Sequence, residues 1–365
     1  MPSTVHDLVD ELDVVDLTAL AGEQGPCVSF YLPAGRTKED AQRAPLELRA
    51  LLDDAETTLR ETRAQDEAEQ MLQGVHELLS DTVFWNQQGE GLAIIVCGGQ
   101  TKAIRLAFDP GRRVAVGDDP HLVPLIDVLE HHGPYHVLAM SLGRVRLFSG
   151  TWASLESIDL GPIPESVEEM DRRHRVEPQL QHQPQPASRG AATFHGHGGR
   201  DVSDVILEKF VSEVSHGVRT RLGAASKTPL YLASVQEYLP LLQATGQLPM
   251  LRPHMITGNP DSLAVHELLD RVRELVKADA HDAEQTLREQ MDGATGRGQL
   301  TADRSDLQRA AGEGRINTLV VDASTVTGPD DRIDALVSQT LQHGGQVRTL
   351  ENLPQDAPVV AMLRY

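Results

Sequence analysis

Apolar residues recur along the chain at two spacings, one helical and one strand-like. Leu46, Leu48, Leu51, Leu52, Ala55 and Leu59 follow the helical interval and predict a long amphipathic stretch over roughly Pro45 to Leu79. An acidic helical pattern from Val5 to Leu20 precedes it, followed by the strand-like run Cys27-Val28-Ser29-Phe30-Tyr31-Leu32, which Pro33 ends. After Phe84-Trp85 come two further strands, Gly91 to Cys97 and Thr101 to Phe108, joined through Gly98-Gly99. Tyr135 to Ser141 and Arg144 to Phe148 read as a hairpin turning at Leu142-Gly143, and Ala153 to Leu160 as a third adjacent strand.

Apolar periodicity then stops from Gly161 to Arg200. Pro178, Pro184, Pro186, several glutamines and Gly190 there predict a long solvated loop. A helix from Ser203 to Leu222 follows, with Val205, Ile206, Phe210, Val211, Val214 and Val218 as its apolar face and Asp201 or Ser203 as its cap. Strand Pro229 to Val235 and helix Glu237 to Ala244 come next. The last third predicts a helix from Leu263 to Val276, a polar helical stretch to Met291, and a break at Gly293 to Gly298. It continues with helix Ala302 to Ala311, strand Ile316 to Val321, helix Arg332 to Gln342, and strands Gln346 to Leu350 and Pro358 to Leu363. The fold class is α/β, in three segments: 1–130, an N-terminal α/β domain; 131–258, a middle domain carrying the loop 161–201; and 259–365, an α/β/α sandwich.

Charge narrows the function. A formal net charge of -21 over 365 residues argues against a general nucleic-acid coat, which needs a broad basic surface, and nothing points to DNA. Cys27 and Cys97 sit in apolar runs without metal or redox spacing, which predicts two buried, reduced thiols. The N-terminus shows no basic-then-apolar leader, and no apolar run approaches the roughly 20 residues that span a bilayer, so a cytoplasmic chain away from membranes is expected.

Gly-Gly-Gln, the tripeptide of peptide release factors, occurs twice. Gly98-Gly99-Gln100 falls at a hairpin turn and Gly344-Gly345-Gln346 just past a helix, where glycines serve the backbone. The chemistry-bearing segment is instead the loop ending Phe194-His195-Gly196-His197-Gly198-Gly199-Arg200-Asp201. From 172 to 200, Arg172, Arg173, Arg175, Arg189 and Arg200 stand against Glu177 alone, 5 - 1 = +4 on an acidic chain. Arginines neutralise phosphates and glycines allow close backbone approach, so this loop suits an RNA-lined cavity. Rival readings are a surface excursion without a ligand, a metal held by His195 and His197 with His174 or His182, and a phosphate loop. The metal reading lacks a fixed third ligand, and the phosphate loop lacks its preceding strand and its Gly-Lys-Ser/Thr ending. No cofactor or metal is expected.

These residues resemble the bacterial families related to the archaeo-eukaryotic release factors, a group that also resembles Pelota and the hibernation factor Balon. The pieces that carry the likeness are Gly117-Asp118-Asp119-Pro120-His121-Leu122-Val123-Pro124-Leu125, the pair Tyr135 to Ser141 and Arg144 to Phe148 ending Phe148-Ser149-Gly150, the loop His195 to Asp201, and Ala361-Met362-Leu363-Arg364-Tyr365. The resemblance implies a divergent N-terminal domain, a middle domain of ribonuclease-H-like topology, and a C-terminal domain of the kink-turn-binding ribosomal-protein type. It implies ribosome and tRNA as partners, with A-site rRNA and a translational GTPase. By position, Gly198-Gly199-Arg200 matches the release factors' catalytic tripeptide, with arginine in place of glutamine. Arginine is a permanent cation and donor only, so the likeness favours ribosome engagement in hibernation, rescue or stress over hydrolysis. The alternatives are a peptidyl-tRNA hydrolase using His197 as general base, and an interaction module that does not act on the ribosome.

Overall fold

The structure, a computed structural model, describes residues 14–176 and 202–365 apart from positions 24, 36, 87, 107 and 327–329. Contacts divide the chain into two compact units. One comprises Met1–Gly133, Thr151–Ala153 and Asp279–Tyr365; the other comprises Pro134–Gly150 and Ser154–Ala278. Each of the three expected segments carries one sheet, and the first and last segments share a single core in the larger unit.

In that unit, β1 (Cys27–Pro33), β2 (Gly91–Cys97), β3 (Gln100–Leu106) and β4 (Arg113–Gly117) form an antiparallel sheet in the order β3-β2-β1-β4. The continuous apolar run of β1 is explained by burial on both faces. Val28, Phe30 and Leu32 pack under α2 (Lys38–Thr62) and α3 (Gln65–Ser80), while Cys27 and Tyr31 point into the core shared with the C-terminal segment. The single helical stretch expected from Pro45 is two helices. Thr37 and Asp40 form a capping box that starts α2 at Lys38, and the chain turns extended at Arg63 and Ala64 before α3. Pro45 lies inside α2, where burial of Leu48 and Leu52 outweighs the lost hydrogen bond. The acidic helix expected from Val5 appears as α1 (Val14–Ala21), with residues 5–13 outside the described part.

The expected reduced thiols are corrected: Cys27 and Cys97 form a disulfide with Cα atoms 4.4 Å apart. Antiparallel pairing of β1 and β2 sets the two residues directly opposite, which a separation of 70 residues conceals in the sequence. Both Gly-Gly-Gln copies serve the backbone: Gly98 and Gly99 have φ of 56° and 78° in the β2–β3 hairpin, and Gly344 has φ of 69° past a helix end.

The C-terminal segment folds as β10 (Leu300–Thr301), β11 (Ile316–Val321), β12 (Gln346–Thr349) and β13 (Val359–Leu363), in the order β10-β13-β11-β12. α9 (Val265–Gly296) belongs to this unit over its second half, where Leu287, Met291 and Ala294 pack on Val320 and Val360. α10 (Arg304–Gly312) and α11 (Asp331–Gln342) share the opposite core with Leu319, Val321 and Ala361. The break expected at Gly293 does not occur, because the buried stripe carries α9 through it to Gly296. A lone glycine costs only about 1 kcal/mol in a helix.

The segment Gly117 to Leu125 has a structural role at this junction. His121, 0% exposed, meets Asp334 of α11 through Nδ1–Oδ1 at 2.7 Å. The backbone N–H of His121 donates to Ser29 Oγ at 3.0 Å, and Tyr31 donates its hydroxyl to the His121 carbonyl. Burial pushes the Asp334 carboxyl above its ordinary range, against the pull of the His121 hydrogen bond. α5 (Val123–His132) follows, and its Glu130 accepts from the Thr349 backbone at 2.7 Å on β12.

In the smaller unit, β5 (Tyr135–Met140), β6 (Val145–Gly150), β7 (Leu155–Ile158), β8 (Leu230–Ser234) and β9 (Leu251–Thr257) give the order β7-β6-β5-β8-β9. The first three are antiparallel neighbours, while β8 and β9 add in parallel. β9 is an edge strand interrupted by Pro253, which hid it from the apolar pattern.

Two outcomes test this account. Unreduced protein in denaturant should show no thiol by a thiol-reactive chromophore, and Cys97→Ser should cost about 2–4 kcal/mol in urea unfolding. His121→Leu should cost about 3 kcal/mol, because it strands a buried carboxyl, with His121→Leu/Asp334→Leu recovering most of the loss. Without its partner, Asp334 holds its proton in the folded state longer than in the unfolded state. The folded state then binds more protons, so the single variant's stability should fall further as pH rises above the ordinary carboxylate range.

Candidate functional site

The smaller unit builds a stem for the segment that the sequence singled out. Residues 167–176 are helix rather than loop, and the irregular run 161–166 before them is anchored. Ile163 and Met170 are both fully buried, and Val167–Val176 form α6. The sequence hid this helix because most of α6 is charged and, among its described side chains, only Met170 is fully buried, with Val167 half-buried against the core, where periodicity needs several. Gly217 lets the chain close on it: a Cβ there would lie 2.8 Å from Ile163.

Arg172 is exposed on α6. Arg173 pairs with Glu169 and donates to the Pro162 carbonyl at 3.0 Å, so it is fixed rather than free in a loop. Arg175 is also part of α6. His174, the candidate third metal ligand, pairs instead through Nε2 with Glu213 of α7 (Val202–Leu222). Arg189, His195, His197, Gly198, Gly199 and Arg200 lie outside the described residues, as do His182 and Asp201. Among the described residues, no three His, Cys, Asp or Glu side chains gather as a metal site.

α7 is about 31 Å long by its 21 residues, whereas β8 spans only about 17 Å. The helix therefore outreaches the sheet. Phe210, Val211, Val214 and Val218 are buried in the core, but Val205 and Ile206, expected on the apolar face, are 53% and 37% exposed. In a parallel crossover the helix runs against the strands, so these first turns lie toward the carboxyl ends of β5 and β8. Leu142 and Val235, which follow those strands, are exposed as well.

That rim is rigid. Ser141 Oγ accepts from the backbone of Gly143 at 3.1 Å and Arg144 at 3.0 Å, and donates to Asp261 Oδ2 at 2.8 Å. Arg146 donates to the carbonyls of Pro260 at 2.6 Å and Leu263 at 3.3 Å, and its partial burial holds the guanidinium below its ordinary range. Burial, with Glu237 and Asp261 nearby, raises the Tyr238 hydroxyl. Arg144 stays exposed at the hairpin turn. Chemically this is a fixed platform with cations at its edge, from which α6 and α7 hold both ends of the segment between them. Ser141, Arg146 and Asp261 went unnoticed in the sequence because 120 residues separate Ser141 from Asp261.

Residues 134–315 match the sequence profile of bacterial archaeo-eukaryotic release factor family 3. No curated protein matches the chain. Among solved structures, it is similar to an archaeal translation termination factor, aRF1, at 13% identity and a TM-score of 0.24, covering 98% of this chain and 99% of that one. It is similar to Saccharomyces cerevisiae Dom34, a translation termination-like factor, at 12% identity and a TM-score of 0.40, covering 63% of each chain. It is also similar to archaeal Pelota from a ribosome-bound assembly with ABCE1, at 11% identity and a TM-score of 0.42, covering 98% and 95% of the two chains. Among the described residues, no helix is long and apolar enough to cross a membrane.

The His174–Glu213 pair should fasten α6 to α7. In His174→Ala, amides of residues 167–176 should exchange roughly threefold to tenfold faster by hydrogen–deuterium exchange, with the core strands unchanged.

Proposed function

Through residues 134–315 the chain belongs to bacterial archaeo-eukaryotic release factor family 3, and from that membership we propose that it is a ribosome-associated translation factor. In this reading the smaller unit presents the segment 177–201 to the ribosomal A site. Gly198-Gly199-Arg200 then approaches the tRNA end near the peptidyl-transferase centre. The observation that carries the reading is the family match over the unit whose α6 and α7 bracket that segment.

Further features support it. The strand order β7-β6-β5-β8-β9, numbered by appearance within the unit, is 3-2-1-4-5, as a ribonuclease-H-like middle domain requires. The layered C-terminal segment suits the kink-turn-binding ribosomal-protein type. Arg172, Arg175, Arg189 and His195 supply cations for RNA phosphates on a chain whose net charge of -21 otherwise repels them, while Arg173 is engaged by Glu169. Arg200 favours holding a phosphate-rich site over placing water, so hibernation, rescue or stress-linked binding ranks above peptidyl-tRNA hydrolysis. Hydrolysis would need His197 as base. A translational GTPase is the expected delivery partner, and the setting is the cytoplasm.

Co-sedimentation of tagged full-length protein with ribosomes from growing and starved cells tests the reading, with wild type beside Gly198→Ala/Gly199→Ala. Wild type should pellet with ribosomes and the double variant less so. Absence of wild type from every ribosomal fraction would end the proposal.

A further inference from the structure

The Cys27–Cys97 bond stands at odds with the cytoplasmic setting of the proposed function. Glutathione and thioredoxin-type dithiols keep cytoplasmic thiols reduced, and the disulfides that form there are mostly transient or redox-sensing. In that setting the pair has two states, so the inference below rests on the proposed function.

The sheet does not depend on the bond. β1 pairs with β2 over its whole length, from Cys27 opposite Cys97 to Pro33 opposite Gly91, and with β4 from Cys27 to Tyr31. Those ladders remain when the sulfurs separate. The pair also lies at the end of the sheet. Cys27 is the first residue of β1, and Cys97 is the last of β2, beside the exposed turn Gly98-Gly99. Both cysteine side chains are buried, and local opening of that hairpin end admits an attacking thiolate.

α1 is the element coupled to this place. Five residues separate its last residue, Ala21, from Cys27. Leu17, Leu20 and Ala21 are buried in the same core as the two cysteines. Gln342 of α11 donates to the Ala21 carbonyl at 2.5 Å, and Lys102 of β3 meets Glu23 at 3.0 Å. Two thiols need more room than two bonded sulfurs, and a close-packed core passes such a change to its neighbours. A helix of eight residues yields more readily than a sheet.

We infer that Cys27 and Cys97 form a reversible redox switch, whose reduction loosens α1 from α11 and β3 while the sheet stays intact. The thiolate of a dithiol reductant attacks Cys97 Sγ. The Sγ–Sγ bond breaks, a mixed disulfide forms, and Cys27 leaves as a thiolate that takes up a proton. The reductant's second thiolate then attacks its own sulfur in the mixed disulfide, and Cys97 leaves and is protonated in turn. Two electrons and two protons have passed to the chain, and the reductant is left as a disulfide. Exchange with an oxidised dithiol runs the same steps backwards.

The first test is made in cells producing the full-length protein, quenched in acid before diamide, after it and after recovery, with thiols tagged by a maleimide polymer. Both cysteines should be free in growing cells, bridged after diamide and free again on recovery. A pair bridged throughout, or free throughout, overturns the switch. The second follows the purified full-length protein by hydrogen–deuterium exchange in reduced and in oxidised dithiothreitol. Amides of residues 14–21 should exchange roughly tenfold faster in the reduced form, with β1 and β2 unchanged. Cys97→Ser, its melting temperature showing that it folds, should match the reduced wild type in both buffers. Exchange of α1 indifferent to the bond, or β1 and β2 opening together with it, overturns the coupling. Neither test uses ribosomes, so a failure here and a failure of co-sedimentation are read apart.

Discussion

His121 meets Asp334 across 213 residues of sequence, with both side chains withdrawn from water. That contact ties the loop after β4 to α11, and so joins the N-terminal sheet to the C-terminal sandwich in one core. A buried carboxyl without its partner is expensive, which gives the junction a chemical specificity that apolar packing alone lacks. The surrounding residues serve the same contact. Ser29 and Tyr31, on β1, bond the His121 backbone, and Gly117 leaves room beside Asp331, whose Oδ1 would lie 2.6 Å from a Cβ there. The motif Gly117 to Leu125, which carried part of the family resemblance, is thus a joint between two sheets.

The smaller unit follows a different logic. Its sheet buries a core under α7, but the helix is longer than the strands, and its unburied turns lead directly from the segment 177–201. α6 is mostly charged and held by few apolar contacts. The His174–Glu213 pair and the bond from Arg173 to the Pro162 carbonyl tie it to its surroundings. A stem held by partly exposed ion pairs is less stable than the core beneath it. That suits an element whose work is to present a segment rather than to bury one.

Most strands were legible in the sequence because buried runs such as Ile316 to Val321 leave few readings open. The two Gly-Gly-Gln copies were legible too, since turn and cap chemistry is local. What escaped was non-local or sparsely coded. The Cys27–Cys97 bond depends on strand register, His121–Asp334 on the joining of distant segments, and Ser141–Asp261 on the packing of a rim. α6 escaped because one buried methionine is not a period, and β9 because Pro253 interrupts it. Val205 and Ile206 fit the helical stripe perfectly well, and only the length of α7 relative to its sheet leaves them in solvent. Of the expected site residues, Arg172, Arg173 and Arg175 stand on α6, where Arg173 is fastened.

If the segment between α6 and α7 works inside the ribosome, as proposed, position 198 lies beside large-subunit rRNA. A photo-crosslinking amino acid placed at Gly198 in the full-length protein, bound to ribosomes and mapped by primer extension, addresses it most directly. The account predicts adducts on large-subunit rRNA at the peptidyl-transferase centre. Ribosome-bound protein whose position 198 yields adducts only elsewhere, or none on rRNA, would contradict it.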